Sequence, residues 1–270
     1  MTPEPGRPSI RLASGVEMPV LGLGVWQLAE GPETEQAIEW ALETGYRHID
    51  TAMMYRNEKS VGAAIRRSGL PREELFVTTK ILPTRRNAAE QLERSLERLG
   101  LDHVDLYLVH WPLAAGNTSL WRKLESLHER GLAREIGVSN FGRRRLQSLL
   151  ARAARRPAVN QVLFNPFRFR RALLDYCRDE GIAFEAYSPL ARGKGLDDPA
   201  IAEAAARHGR TPAQVVLRWA VQHGAIVIPK SSRRERIVEN AQIFDFELGD
   251  GDMQALDALD RTGGTDRARG

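Results

Sequence analysis

The chain has 270 residues, a net charge of +4 and 42% apolar residues, which is typical of a globular protein and excludes disorder, coiled coil and collagen. No apolar run reaches the length of about 18 residues that indicates a membrane-spanning helix, so no membrane partner is expected. The first residues lack the apolar stretch of a secretory signal, and the single cysteine, Cys177, fits a reducing compartment. We therefore expect a cytoplasmic protein.

The positive charge comes mostly from arginine, because only five of the 39 basic residues are lysines. The arginines are scattered beside glutamates over many predicted helices, and no aromatic residues alternate with a basic stripe. We therefore expect no nucleic-acid partner. A lysine at a special position is more informative in such a chain, because arginine is the usual basic residue.

The chain begins with a predicted β-hairpin over Ser9–Met18, which turns at Ser14-Gly15. Short apolar runs follow, and several are almost continuously apolar, as expected for parallel strands that are buried on both faces. The eight predicted strands are Val20–Val25, Arg47–Asp50, Leu75–Lys80, Val104–His110, Glu135–Asn140, Ala158–Val162, Ala183–Ser188 and Ala225–Lys230.

Amphipathic segments separate these strands and are predicted to be helices. Asn87–Glu90 and Ser232–Glu235 resemble capping boxes that begin two of them. Further predicted helices are Asp198–His208, Thr211–Val221 with Pro212 in its first turn, and Gly249–Asp260, which precedes a tail, 261–270, that we expect to be mobile.

Eight strand–helix units without a break in composition predict one α/β domain over residues 1–270, with a core of about residues 9–260. The favoured architecture is a single (β/α)8 TIM barrel with an N-terminal β-hairpin and a C-terminal extra helix, and the alternative is an open doubly wound sheet. Leu21-Gly22-Leu23-Gly24 lies inside a predicted strand and lacks a third glycine, so it matches the dinucleotide-binding fingerprint poorly.

Polar residues occur where seven of the predicted strands end. In a barrel of this type, the C-terminal ends of the strands meet at one rim, where the chemistry is located. The sequence therefore predicts a polar mouth above an apolar interior. The polar strand ends are Asp50, Lys80, His110, Ser139-Asn140, Asn160-Gln161, Tyr187-Ser188 and Lys230-Ser231.

Three of these residues and a nearby tyrosine suggest acid–base chemistry. Asp50 and Lys80 follow neighbouring strands and can pair, although a purely structural ion pair is an alternative. Tyr55 follows Asp50 by five residues, and a lysine beside it is expected to lower the pKa of the phenol toward neutrality. Tyr55 would then donate a proton, and His110 would hydrogen-bond the oxygen that receives it.

A proton donor cannot reduce a substrate alone, but a nicotinamide cofactor can supply hydride. Ser139, Asn140 and Gln161 offer partners for its carboxamide, and Tyr187 offers a flat face for stacking.

The segment after the last strand suits the other end of such a cofactor. Lys230 and Ser231 precede a helix whose first N–H groups can hold phosphate. Lys230 and Arg236 can grip a 2′-phosphate, and Glu239 and Asn240 can contact an adenine edge. The alternative is an ordinary charged surface helix.

Taken together, these residues resemble the aldo-keto reductase family over about residues 9–260. The similarity is greatest to compact bacterial members such as the 2,5-diketo-gluconic acid reductases. The motifs that carry it are Asp50–Glu58, Lys80, Leu108–Pro112, Gly137–Phe141, Asn160–Val162, Ala186–Leu190, Ile228–Ser231, Arg236 and Glu239-Asn240.

The resemblance implies a catalytic tetrad of Asp50, Tyr55, Lys80 and His110. It also implies NADP(H) bound across the barrel mouth without a Rossmann fold, no metal, and a monomer. Ser188 and Leu190 would belong to the loop that holds the cofactor's pyrophosphate. Trp26 and Trp111 would line the substrate pocket with His110, whereas without the family Trp26 would be interpreted as a core residue.

Two departures from the family pattern concern the loops around the mouth. Leu163–Pro166 replaces the Glu-x-x-Pro of many relatives, and Ala191 stands where relatives often have glycine. The short segment after Pro112 and the short tail predict an open pocket. These departures affect the expected substrate preference and the cofactor loop, but not the chemistry.

The leading hypothesis is an NADPH-dependent oxidoreductase that reduces an aldehyde, ketone or keto-sugar. One alternative is a barrel lyase in which Lys80 forms a Schiff base. Another is a nucleotide-binding regulatory subunit with little turnover.

Overall fold

The computed structural model describes residues 8–82 and 87–263, beginning with an antiparallel hairpin. Strand β1 (Ser9–Arg11) pairs with β2 (Glu17–Pro19), so the predicted hairpin is confirmed. Leu12 and Met18 are buried in one cluster with residues of the barrel strands, including Phe76. The hairpin therefore seals the end of the barrel that lies opposite the strand C-termini.

Eight parallel strands form the centre of the protein, and each pairs with its neighbour in the chain. They confirm the eight predicted strands, with boundaries that differ by up to two residues. The strands are β3 (Gly22–Gly24), β4 (His48–Asp50), β5 (Phe76–Ile81), β6 (Val104–Val109), β7 (Ala133–Ser139), β8 (Val159–Leu163), β9 (Ala183–Tyr187) and β10 (Ile226–Ile228).

The sheet closes on itself between its first and last strands. Leu21 forms a parallel bridge with Val227, and the Gly24 N–H donates to the Pro229 carbonyl at 3.1 Å. The protein is therefore a closed (β/α)8 barrel rather than an open doubly wound sheet.

Helices surround the barrel and connect its strands. One helix follows each of the first six barrel strands, two follow β9, one follows β10, and an extra helix completes the described residues. They are α1 (Pro32–Glu43), α2 (Glu58–Ser68), α3 (Ala88–Leu99), α4 (Asn117–Glu129), α5 (Arg143–Leu150), α6 (Arg171–Asp179), α7 (Pro199–His208), α8 (Pro212–Gln222), α9 (Arg234–Ala241) and α10 (Asp250–Asp257). Within the described residues, none of these helices is long and apolar enough to cross a bilayer.

The helix caps differ from the prediction. Asn87 caps α3 by accepting from the Ala89 N–H, but the box is incomplete because the Glu90 carboxylate pairs with Arg94. The box predicted at Ser232–Glu235 is wrong, because α9 begins after an extended Arg233 that forms no side-chain cap.

The complete capping box in the structure lies at α8. There the Thr211 side chain accepts from the Gln214 N–H, and the Gln214 side chain accepts from the Thr211 N–H. The sequence predicted Pro212 in the first turn of this helix, but the pair of Thr211 and Gln214 was not predicted, although this spacing is a capping-box signature.

Side chains alternate along each strand between the barrel interior and the surrounding helices. On β5, Phe76 belongs to the lower apolar cluster, whereas Lys80, four residues later, reaches the polar upper end. A similar change along the other strands produces an apolar lower barrel beneath a buried polar layer. That layer consists of His48, Asp50, Thr78, Lys80, Gln161 and Glu185.

The predicted mobile tail lies only partly within the described residues. The Arg261 N–H donates to the Phe167 carbonyl, and its guanidinium stacks on the Phe167 ring. Residues 264–270 lie outside the described part of the chain.

Closure of the barrel makes a testable prediction about Gly24. A Cβ at this position would lie 2.9 Å from the Ile228 carbonyl oxygen, so Gly24→Ala must push β3 and β10 apart. We expect a loss of about 1–3 kcal/mol, the usual cost of overpacking, and a lower Tm in thermal unfolding. Gly251→Ala is the control, since nothing lies within 4 Å of its added Cβ. Equal Tm values for the two variants would contradict the proposed close contact.

Candidate active site

A buried lysine occupies the centre of the barrel mouth. Lys80 is fully buried, and its Nζ donates to Asp50 Oδ1 at 2.6 Å and to the Thr51 carbonyl at 2.8 Å. A third, longer hydrogen bond of 3.4 Å reaches the Tyr55 hydroxyl. All three ammonium hydrogens therefore have acceptors, as a buried cation requires.

The loop that carries Tyr55 is fixed by the residue two positions after it. Tyr55 ends a short 3-10 turn, Met53–Tyr55, that follows β4. Asn57 is fully buried, donates to the carbonyls of Val25 and Leu28, and accepts from the Thr51 hydroxyl. These contacts hold the phenol over the barrel mouth.

Burial dominates the acid–base properties of this group. Burial disfavours the charged amine of Lys80, but Asp50 and Tyr55 outweigh it, so the pKa of Lys80 is raised. Burial also raises the pKa of Tyr55, and the opposing effect of Lys80 does not cancel the rise. The predicted shift of the Tyr55 pKa toward neutrality is therefore wrong in this structure, because desolvation of the phenolate is the larger effect.

His110 lies across the mouth from Tyr55, with ring centroids 5.6 Å apart in an edge-to-face arrangement. Burial, and then the charge of Lys80, lowers the pKa of His110 to about 3. The imidazole is therefore neutral at physiological pH. Trp111 stacks on it and, among the residues that the structure describes, is one of two large apolar side chains that remain exposed, the other being Met54.

A carboxyl group that the sequence analysis missed lies beneath these residues. Glu185 projects from the middle of β9, is fully buried, and accepts from Gln161 Nε2 at 2.9 Å. The same nitrogen donates to Asp50 Oδ2 at 2.7 Å. Glu185 precedes the end of its strand by two positions, so the pattern of polar strand ends does not reveal it.

A cavity of about 250 Å³ opens above this polar layer. It brings together most of the predicted catalytic, nicotinamide-binding and substrate-binding residues, while Lys80 lies beneath its floor. Trp26 is half-buried and lines this cavity, so it is not a core residue. The predicted residues at this cavity are Trp26, Asp50, Tyr55, His110, Trp111, Ser139, Asn140, Gln161, Tyr187, Ser188 and Lys230.

A second cavity of about 620 Å³ continues from the first toward α9. The two share Trp26, Ser188, Arg192 and Lys230, so they form one elongated cleft. Arg192 was not predicted as a site residue, since nothing in the sequence distinguishes it among so many arginines. The predicted residues at the second cavity are Ser188, Leu190, Lys230, Ser231, Arg236, Glu239 and Asn240.

The second cavity is suited to an anion. The side chains of Lys230 and Arg236 form no ion pair or hydrogen bond within the described residues, and both line the cavity. The first N–H groups of α9 also lack acceptors inside the helix. Two unpaired cations beside a helix N-terminus can hold phosphate groups.

Within the described residues, six of the predicted cofactor residues already form side-chain hydrogen bonds to the protein: Ser139, Asn140, Gln161, Tyr187, Ser231 and Glu239. Asn140 donates to the His110 carbonyl and to Ser139, and its oxygen accepts from the Tyr187 hydroxyl. Its amide therefore connects the end of β6 to β9 at the barrel mouth and fixes the Tyr187 ring beside the cavity. Glu239 similarly accepts from the Thr211 hydroxyl at 2.5 Å.

Backbone strain is concentrated around this cleft. Asn140, Ser188, Ala191 and Arg192 all have positive φ values, between 48° and 63°. Non-glycine residues rarely adopt this conformation, and functional sites are where such strain accumulates. Ala191 adopts the left-handed backbone conformation that a glycine would adopt at lower cost.

Comparisons with known proteins agree with this geometry. The sequence profile described as "Aldo/keto reductase family" matches residues 20–261. The chain belongs to the aldo/keto reductase family. It is 47% identical over 256 residues to the glyoxal reductase of Bacillus subtilis, covering 94% of this chain and 93% of that one. It is 46% identical over 259 residues to the methylglyoxal reductase DkgA of Yersinia pestis, with 94% and 93% coverage.

Solved structures give the same result. The Bombyx mori aldo-keto reductase in complex with NADP matches with a TM-score of 0.87 and 36% identity, covering 94% of this chain and 93% of that one. Another aldo-keto reductase, complexed with NADPH, matches with a TM-score of 0.90 and 36% identity, covering 94% and 88%. This aldo-keto reductase is therefore an oxidoreductase of the carbonyl-reducing type.

The alternative of a Schiff-base lyase does not fit Lys80. A Schiff-base nucleophile must be a neutral amine. Here the raised pKa keeps Lys80 charged, and its three hydrogens are all donated within the protein.

The buried carboxyl of Glu185 predicts a pH dependence of stability. Burial, and then the charge of Asp50, raises the pKa of Glu185 to about 8 from an ordinary value of 4.5. The folded state therefore holds this proton more tightly than the unfolded state, and stability falls as the pH rises from about 4.5 through 8. Glu185→Gln removes this loss. We therefore expect the Tm of this variant, relative to the Tm of wild type, to be higher at pH 8.5 than at pH 5 by at least about 2–4 °C. Thermal unfolding of both proteins at both pH values measures this difference. A Tm difference that is the same at both pH values would contradict the raised pKa.

Proposed function

We propose that this aldo-keto reductase uses NADPH to reduce the carbonyl group of a small aldehyde, ketone or keto-sugar. In this proposal Tyr55 donates the proton, Lys80 and Asp50 support it, and His110 orients the carbonyl. One observation carries the proposal: the Tyr55 hydroxyl lies between a buried ammonium and a neutral imidazole at the floor of an aromatic-lined cavity.

The elongated cleft supports the choice of cofactor. Gln161 and Tyr187 would hold the nicotinamide end, Ser188 and Leu190 the pyrophosphate, and Lys230 and Arg236 the 2′-phosphate. Unpaired cations at one end of the cleft and a polar floor at the other fit the two ends of such a molecule. Related structures with NADP or NADPH bound also support it. When bound, the nicotinamide supplies the hydride that no side chain can provide.

Tyr55 can act as the acid despite its raised pKa. A phenol with a raised pKa is fully protonated at neutral pH, so the proton is always available. The alkoxide formed from a carbonyl is far more basic than a phenolate, because its conjugate acid resembles water, with a pKa of about 15.7. Proton transfer is therefore downhill, and Lys80, 3.4 Å away, stabilises the phenolate that remains.

His110 contributes a hydrogen bond rather than a proton. With a pKa of about 3 it stays neutral, so it can donate an N–H to the carbonyl oxygen without competing with Tyr55. Trp26, Met54 and Trp111 line the same cavity and would contact the rest of the substrate. Small dicarbonyls such as glyoxal and methylglyoxal are suitable first substrates, since they appear in the names of two relatives.

Removing one hydroxyl tests the proton donor. Tyr55→Phe should lower kcat by about 10²–10⁴-fold, the usual contribution of general acid catalysis, because it keeps the aromatic ring but removes the hydroxyl that donates the proton. The loss of nicotinamide absorbance with glyoxal measures turnover, and fluorescence measures NADPH binding, which should not change. Tyr176→Phe, on α6, is the matched control and should keep wild-type kcat. Wild-type turnover by Tyr55→Phe would refute the assignment.

A second substitution tests the phosphate end of the cleft. Arg236→Ala should weaken NADPH binding by about 1.5–3 kcal/mol, the value of hydrogen bonds to a charged group, and leave NADH binding unchanged. Arg234→Ala is the control, because Arg234 lies on the same helix but pairs with Glu43 at 3.9 Å. If Arg236→Ala weakened NADPH and NADH equally, its role at the 2′-phosphate would be wrong.

A further inference from the structure

Two carboxyl groups accept hydrogen bonds from one amide nitrogen beneath the cavity floor. Gln161 Nε2 lies 2.7 Å from Asp50 Oδ2 and 2.9 Å from Glu185 Oε2. Asp50 also accepts from Lys80, which identifies it as the ionised partner. The atom between these oxygens must therefore be the nitrogen of the amide, and both of its hydrogens are donated.

This arrangement leaves one atom of the amide free. Gln161 Oε1 has no hydrogen-bond partner within the described residues, and Gln161 lines the cavity. Turning the amide over would place this oxygen against the Asp50 carboxylate, which is repulsive. The site therefore presents a fixed hydrogen-bond acceptor to whatever occupies the cavity.

The contacts of Glu185 offset little of the free-energy cost of burying its carboxyl group. Its second oxygen, Oε1, has no hydrogen-bond partner and lies 3.6 Å from His48 Nε2. Burial lowers the pKa of His48 to about 3, so this histidine is neutral and provides no compensating charge. Incompletely satisfied buried polar groups are costly, and such departures from good packing are expected at functional sites.

We propose that Glu185 is a positioning residue for cofactor recognition. Together with Asp50 it holds the Gln161 amide with its oxygen toward the cavity, where that oxygen accepts a hydrogen bond from the carboxamide nitrogen of the nicotinamide. This inference rests on the proposed function, which places the nicotinamide at this end of the cleft. Glu185 itself touches neither substrate nor cofactor.

Two probes separate this role from a general structural one. NADPH carries the carboxamide, whereas adenosine 2′,5′-bisphosphate has the adenine and the 2′-phosphate but no nicotinamide. Glu185→Met removes the acceptor at similar volume. We expect it to weaken NADPH binding about 10-fold, the equivalent of roughly one ordinary hydrogen bond, and to change the affinity for the bisphosphate less than about 2-fold. Glu185→Gln keeps an oxygen that can accept from Gln161 and should restore most of the NADPH affinity.

A double-mutant cycle tests the route through Gln161. If Glu185 acts only by holding this amide, Gln161→Met should weaken NADPH, and Glu185→Met should add nothing in that background. Additive losses, or equal losses for NADPH and the bisphosphate, would overturn the proposal. Glu185→Leu serves if Glu185→Met does not fold, and failure of both to fold would assign Glu185 to folding instead. Wild-type protein that does not bind or oxidise NADPH would instead overturn the proposed function.

Discussion

The burial of one ammonium group determines the organisation of the barrel mouth. Lys80 is surrounded by protein on every side, and a cation there is tolerable only if each of its hydrogens has an acceptor. Asp50, the Thr51 carbonyl and the Tyr55 hydroxyl meet this requirement. Because these acceptors come from β4 and the loop after it, the need to satisfy one charge also fixes the position of the phenol.

The same constraint extends downward through the barrel. The Asp50 oxygen that Lys80 does not use accepts from Gln161, which then reaches Glu185 on the next strand. The barrel is therefore divided into an apolar lower part, sealed by the hairpin, and a buried polar upper part. Above this layer, at the mouth, burial governs the pKa values: it raises that of Tyr55 and lowers that of His110, leaving a neutral acid beside a neutral hydrogen-bond donor.

Much of the fold and of the site was predictable from the sequence, because the relevant signals are local. Continuous apolar runs specify buried parallel strands, and regular alternation with helices specifies the barrel. The C-terminal ends of parallel strands must share one rim, so residues such as Lys80, His110 and Gln161 could be placed together without coordinates. The cleft at this rim gathers nearly all of the predicted site residues.

Only the tertiary structure decided the properties that depend on neighbours distant in sequence. Periodicity does not reveal desolvation, so the direction of the Tyr55 pKa shift was wrongly predicted from the nearby lysine alone. Glu185 and Arg192 were missed because their importance comes from partners on other strands and loops. The cap of α9 was misplaced because the extended conformation of Arg233 outweighs the local motif. The sequence determined which groups reach the barrel mouth, while packing determined which of them are charged, paired or free.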